Sequence, residues 1–128
     1  MITQSEVQEI SKQLLVGDLN IEKLFELAIE TANLGYPLKA MAIAREALIF
    51  AKQQNKYIAI YIHSFLAVLS MDFLKFSSAR IHLYNALNRL DKNHFSYNTD
   101  QQYLGALLQQ IENLEQNSSS ENRSSLAA

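Results

Sequence analysis

Apolar residues recur at three- and four-residue intervals in six separate runs, and each run predicts a helix. The first, over 5–16, carries Val7, Ile10 and Leu14 behind Thr3 and Glu6, which are spaced as a capping box, and ends at Gly17-Asp18. Asn20 caps a second helix bearing Ile21, Leu24, Leu27, Ala28, Thr31 and Leu34, and Gly35 stops it. Pro37 suits the first turn of a third, where its missing N–H costs nothing; that helix carries Ala40, Ile43, Ala44, Ala47, Leu48 and Ala51. The fourth, over 57–73, is apolar nearly all round, so it is central to the fold or covered by a partner. Ser77 caps a fifth with Ala79, Leu83, Ala86, Leu87 and Leu90 inward. After a polar linker over 91–97, Asn98 and Gln101 form a second capping box for a sixth through Leu104, Leu107, Leu108, Ile111 and Leu114.

Composition narrows the fold class. With 3 Gly and 1 Pro in 128 residues there is little room for a turn-rich β architecture, so the chain is expected to be all-α. Its length suits one domain over 1–115. From Gln116 onward almost nothing can be buried, which predicts a disordered polar tail over 116–128. A net charge of −2 without a basic stripe argues against nucleic acid. The absence of cysteine rules out disulfides and fits a reducing compartment. Residues 1–6 lack a basic and then apolar leader, and the longest apolar run, over 58–69, is broken by His63 and Ser64. A cytoplasmic protein with no membrane partner is expected.

Two stretches repeat. Ala40 is followed seven positions later by Ala47-Leu48, and Ala79 by Ala86-Leu87, with the copies 39 residues apart. Small residues at such spacing let helix backbones approach closely at a crossing. The pattern resembles the tetratricopeptide repeat over about 21–115. Leu24, Leu27-Ala28, Gly35, Ala40-Met41, Ala44 and Ala47-Leu48 match one repeat, over 21–54. Leu66-Ala67, Ala79, Leu83 and Ala86-Leu87 match a second, over 57–90. Leu104-Gly105 begins a third copy that is never completed, as suits a capping helix over 98–115. His63 stands where the family prefers a bulky aromatic, no closing proline follows either Ala-Leu pair, and the 39-residue spacing exceeds the family's ~34. The resemblance implies antiparallel helical hairpins stacked as a short superhelix, with flanking helices at both ends. An antiparallel bundle with ordinary alanine packing is the alternative.

The family's carboxylate-gripping members line the groove side of each first helix with Lys and Asn. The matching positions here are Glu22, Phe25, Glu26, Ile29 and Asn33, then Tyr61, Ser64, Phe65, Val68 and Asp72. No lysine is among them, so a carboxylate there would meet repulsion. The resemblance implies instead an apolar groove of Phe25, Ile29, Tyr61, Phe65 and Val68 that takes an amphipathic helix or an apolar extended segment by buried area. The same residues are equally readable as core, filled from within by the N-terminal helix.

No catalytic constellation is expected. His63, His82 and His94 fall on different segments, and no two share the i, i+4 spacing of paired metal ligands. His63 and His82 meet only if their helices pack antiparallel, and a metal would still need a third ligand. Glu26 and Glu30 share a face near a helix start, where acids are favoured by the dipole. Neither metal nor cofactor is called for. The leading expectation is a non-enzymatic adaptor or chaperone-like assembly module that binds another protein. A self-associating regulatory subunit, using the apolar fourth helix to form a homodimer, is a second reading, and a ligand-binding or catalytic bundle a third.

Overall fold

The structure, a computed structural model, describes the backbone of residues 20–54 and 57–127, with side chains through residue 117. The helix expected over 5–16 lies outside the described residues. Among the described residues five helices follow in order: α1 (Ile21–Asn33), α2 (Pro37–Gln53), α3 (Ile58–Asp72), α4 (Phe76–Asn88) and α5 (Tyr97–Ala127). Among the described residues there is no strand. The chain is all-α, with α1–α2 and α3–α4 forming antiparallel hairpins that stack through α2 and α3, and α5 closing the stack against α4. No helix among the described residues is long and apolar enough to cross a membrane.

Local chemistry accounts for most helix ends. The Asn20 side chain accepts the Lys23 backbone N–H at 3.0 Å, the N-cap bond expected of it. Gly35 follows α1 at φ +93°, with its N–H on the Ala32 carbonyl and the Tyr36 N–H on the Thr31 carbonyl. That pair of bonds is the Schellman motif, and Pro37 then opens α2. The same motif closes α3, where Leu74 N–H meets the Met71 carbonyl and Lys75 N–H the Ser70 carbonyl. Leu74 therefore occupies the position of Gly35, 39 residues on, at φ +60°. A leucine pays a Cβ clash there that glycine avoids, and with 66% of its surface exposed it gains little from burial. We expect Leu74→Gly to stabilise the fold by about 0.5–1 kcal/mol, read in urea melts, because the relieved clash exceeds the extra chain entropy of glycine. A destabilised variant would show that the leucine side chain holds the turn.

Two expectations at helix ends are corrected. Lys75, not Ser77, precedes α4, because the tight turn at Leu74 delivers the chain into the helix earlier. The helix α5 opens at Tyr97, with the Ser96 carbonyl accepting the Asp100 N–H, so Asn98 and Gln101 lie inside its first turns. Its helical backbone runs on to Ala127. Extending an existing helix adds a backbone hydrogen bond per residue with no new nucleus, and Ser, Asn, Glu and Arg carry only modest helix penalties.

The core has two parts that share α3. One joins Ile21, Leu24, Ala40, Ile43, Ala47 and Phe50 of the first hairpin to Ile62, Leu66 and Leu69 of α3. The other joins Ile60, Ala67 and Met71 of α3 to Ala79, Leu83 and Ala86 of α4 and to Leu104, Leu107 and Ile111 of α5. A helix buried on both sides has no room for a broad polar face, which explains the apolar run over 58–69. The seam alanines Ala40, Ala47, Ala79 and Ala86 are fully buried. So are Ala28 and Ala67, which are also 39 residues apart.

Candidate functional site

The five predicted groove residues come together. Phe25 and Ile29 of α1 and Tyr61, Phe65 and Val68 of α3 line one concavity of about 440 Å³, joined by Ala32, Asn33, Ser64 and Leu69. The α5 residue Tyr103 closes one wall. The first helices of both hairpins therefore present one surface, because each carries its apolar residues at i, i+3 and i+4 spacing on the side turned from its partner helix. Phe25 meets Phe65 edge-on at 5.6 Å between ring centroids, which ties the floor to the first core. Ile29 and Tyr61 remain 39% and 36% exposed, so among the described residues the concavity is half open. Tyr103 escaped the sequence reading, although it precedes Leu104-Gly105 as Phe65 precedes Leu66-Ala67; the incomplete third copy was its signal.

A polar cluster braces the Tyr61 end. The buried Asp100 carboxylate accepts hydrogen bonds from Ser96 Oγ at 2.7 Å, Tyr61 at 2.9 Å and Tyr57 at 3.0 Å. Burial by itself would raise the Asp100 pKa. The hydroxyl bonds, led by Ser96, and the nearby His94 outweigh it and hold the carboxyl below its usual range. Burial, aided by the Asp100 anion, raises both phenols. The His94 Nδ1 lies 2.7 Å from Ser96 Oγ, and its ring stacks on Tyr57 at 3.8 Å. Beside it Phe95 is 95% exposed. These bonds pin the α4–α5 loop to the start of α3. The single Ser96 hydroxyl is spent between a carboxylate and an imidazole, which makes it a brace.

The structure also unites His63 and His82. Their Nδ1 atoms stand 3.0 Å apart across the α3–α4 hairpin, so one ring donates a proton and the other accepts it. His63 is only 2% exposed, and its Nε2 has no partner. Burial, reinforced by His82, Lys52 and Arg89, pushes His63 down to about 4, while burial with Arg45 and Lys52 lowers His82. Counting back 39 residues places Leu24 and Ile43 at these two positions, both fully buried. The histidines thus stand where the first hairpin has a plain apolar contact. Cations on α2 and at the end of α4 oppose a bound metal ion there, and among the described residues no three His, Cys, Asp or Glu form a ligand set.

The chain matches no family model, and no curated protein or solved structure matches it significantly.

Proposed function

We propose that this protein is a non-enzymatic protein–protein interaction module on a tetratricopeptide-like plan, a small cytoplasmic adaptor or assembly factor. Its partner segment lies in the groove between α1 and α3. The observation that carries this reading is the half-open apolar concavity of Phe25, Ile29, Tyr61, Phe65 and Val68, drawn from both hairpins. A contiguous apolar surface left open to water favours a covering partner by its buried area. The apolar character of α3, which motivated a homodimer, is satisfied inside the protomer by the two core clusters.

Phe65→Glu is expected to abolish partner capture from an extract of the source cells, with mass spectrometry as readout. Because Phe65 also packs on Phe25, the change costs about 1–2 kcal/mol of stability, so circular dichroism must accompany it. Ile29→Glu, at a more exposed position, is expected to lose the same partners with the fold unchanged. Retention of every partner by both variants would refute the groove as the binding surface.

A further inference from the structure

Exposed acids fall on the two helix stripes that line the groove. On α1, Glu22 and Glu26 fall on the stripe of Phe25, Ile29 and Asn33, and on α3 Asp72 extends the stripe of Tyr61, Phe65 and Val68. All three acids are exposed. Behind Tyr61 the buried Asp100 carboxylate adds a fourth negative group. Among the described residues no cation lines the concavity. Lys23 lies off the α1 stripe and faces the same way as Glu30, seven residues on.

The lining also restricts the form of the guest. An extended segment would bury backbone N–H and C=O groups that need partners. The lining offers few: Ser64 already donates to the Tyr61 carbonyl at 2.8 Å, and the Tyr61 hydroxyl is committed to Asp100. Asn33 alone is left among the wall's amide and hydroxyl groups other than Tyr103. A helix satisfies its own backbone and presents only side chains, which suits such a wall. The chain's own segment over 5–16 is a poor match, since it sets Glu6 and Glu9 against a single Lys12.

We infer that the groove takes a basic amphipathic helix of another protein, an assignment that rests on the groove being a docking site. Its apolar side chains seat on Phe25, Ile29, Phe65 and Val68, and its Lys or Arg side chains face Glu22, Glu26 and Asp72. Opposite charge at the rim selects this partner over an acidic helix of the same shape, because like charges at close approach repel.

The test uses the full chain and helix-forming peptides, with binding read by fluorescence anisotropy. A Leu/Lys peptide with one apolar face is expected to bind at least about tenfold tighter than a Leu/Glu peptide of the same apolar pattern, and to weaken as salt rises. The triple variant Glu22→Lys, Glu26→Lys, Asp72→Lys, changed only at exposed positions, should reverse that preference. A Leu/Lys peptide of scrambled order should bind at least about tenfold more weakly, and Ile29→Gln should weaken the ordered one. Equal binding of the Leu/Lys and Leu/Glu peptides overturns the charge assignment while leaving the groove as a docking site. Binding of neither removes the docking site too. Equal binding of the scrambled peptide reduces the contact to charge alone and overturns the inference. A second copy offers related chemistry on α2, where Arg45, Ile49 and Lys52 share an exposed stripe. Sedimentation velocity is expected to show a monomer at all concentrations tried. Association dissolved by Ile29→Gln would place that second copy in the groove and overturn the external partner.

Discussion

Ala47→Leu and Ala86→Leu each lower the stability of the fold by about 1–3 kcal/mol, and the loss is read in urea or thermal melts. Both alanines are fully buried, one in each core cluster, at positions 39 residues apart in the two hairpins. A leucine there adds a γ-branched side chain to a core from which water is already excluded, so the helices must separate or the rotamer must strain. For a domain near 100 residues such a loss moves the melting temperature by several degrees. Ala42 is the internal control: it lies on the same helix but is exposed, and Ala42→Leu is expected to change stability by less than about 0.5 kcal/mol. If Ala47→Leu and Ala86→Leu melt like the wild type, the alanines do not hold the hairpins together and the repeated seam has no structural role.

Mild acid is expected to weaken the fold through the histidine pair. An unfolded histidine takes up its proton near 6.5, whereas folded His63 resists protonation down to about 4. Between those values the unfolded chain binds more protons, so stability is intact above 6.5 and falls as the pH drops. The slope for His63 approaches ~1.4 kcal/mol per pH unit. Partly exposed His82 is shifted the same way and adds less. Asp100 works in a lower window: its carboxyl is held below 3.8, so its contribution persists above that value and is lost as the pH falls further.

The first hairpin supplies the repair. His63→Leu with His82→Ile installs the residues found at the equivalent positions, Leu24 and Ile43, which are similar in volume and fully buried. Removing both polar partners together leaves no orphaned nitrogen, so the double variant is expected to be at least as stable at neutral pH. Its stability should be flat from pH 6.5 to 4.5 in urea melts, where the wild type declines. An identical decline in both proteins would place the acid sensitivity elsewhere. His63→Leu by itself strands the His82 Nδ1 and is expected to be less stable than the double change.

How much was legible differs from element to element. The cap at Asn20, the stop at Gly35 and the start at Pro37 could be read because each acts on backbone groups within a few residues of itself. Leu74 gives no such signal, since nothing in a leucine announces a left-handed turn; only its place 39 residues after Gly35 does. The start of α5 was misplaced because Asn98-to-Gln101 spacing looks like a cap as good as Ser96. What favours Ser96 is a carboxylate that also holds Tyr57 and Tyr61, 43 and 39 residues away from Asp100.

The helical class, and which residues share one face of α1 and one of α3, could be read from the order of residues along the chain. Helical periodicity is a property of each segment alone, so those features need no knowledge of what packs where. Tertiary structure decided the rest. It buried α3 on two sides, set His63 against His82 at 3.0 Å, and let Tyr103 wall a concavity that stays open beside Ile29 and Tyr61. Whether an apolar stripe becomes core or groove depends on which distant helix covers it. That choice rests on contacts between residues far apart in the chain, where no local pattern reaches.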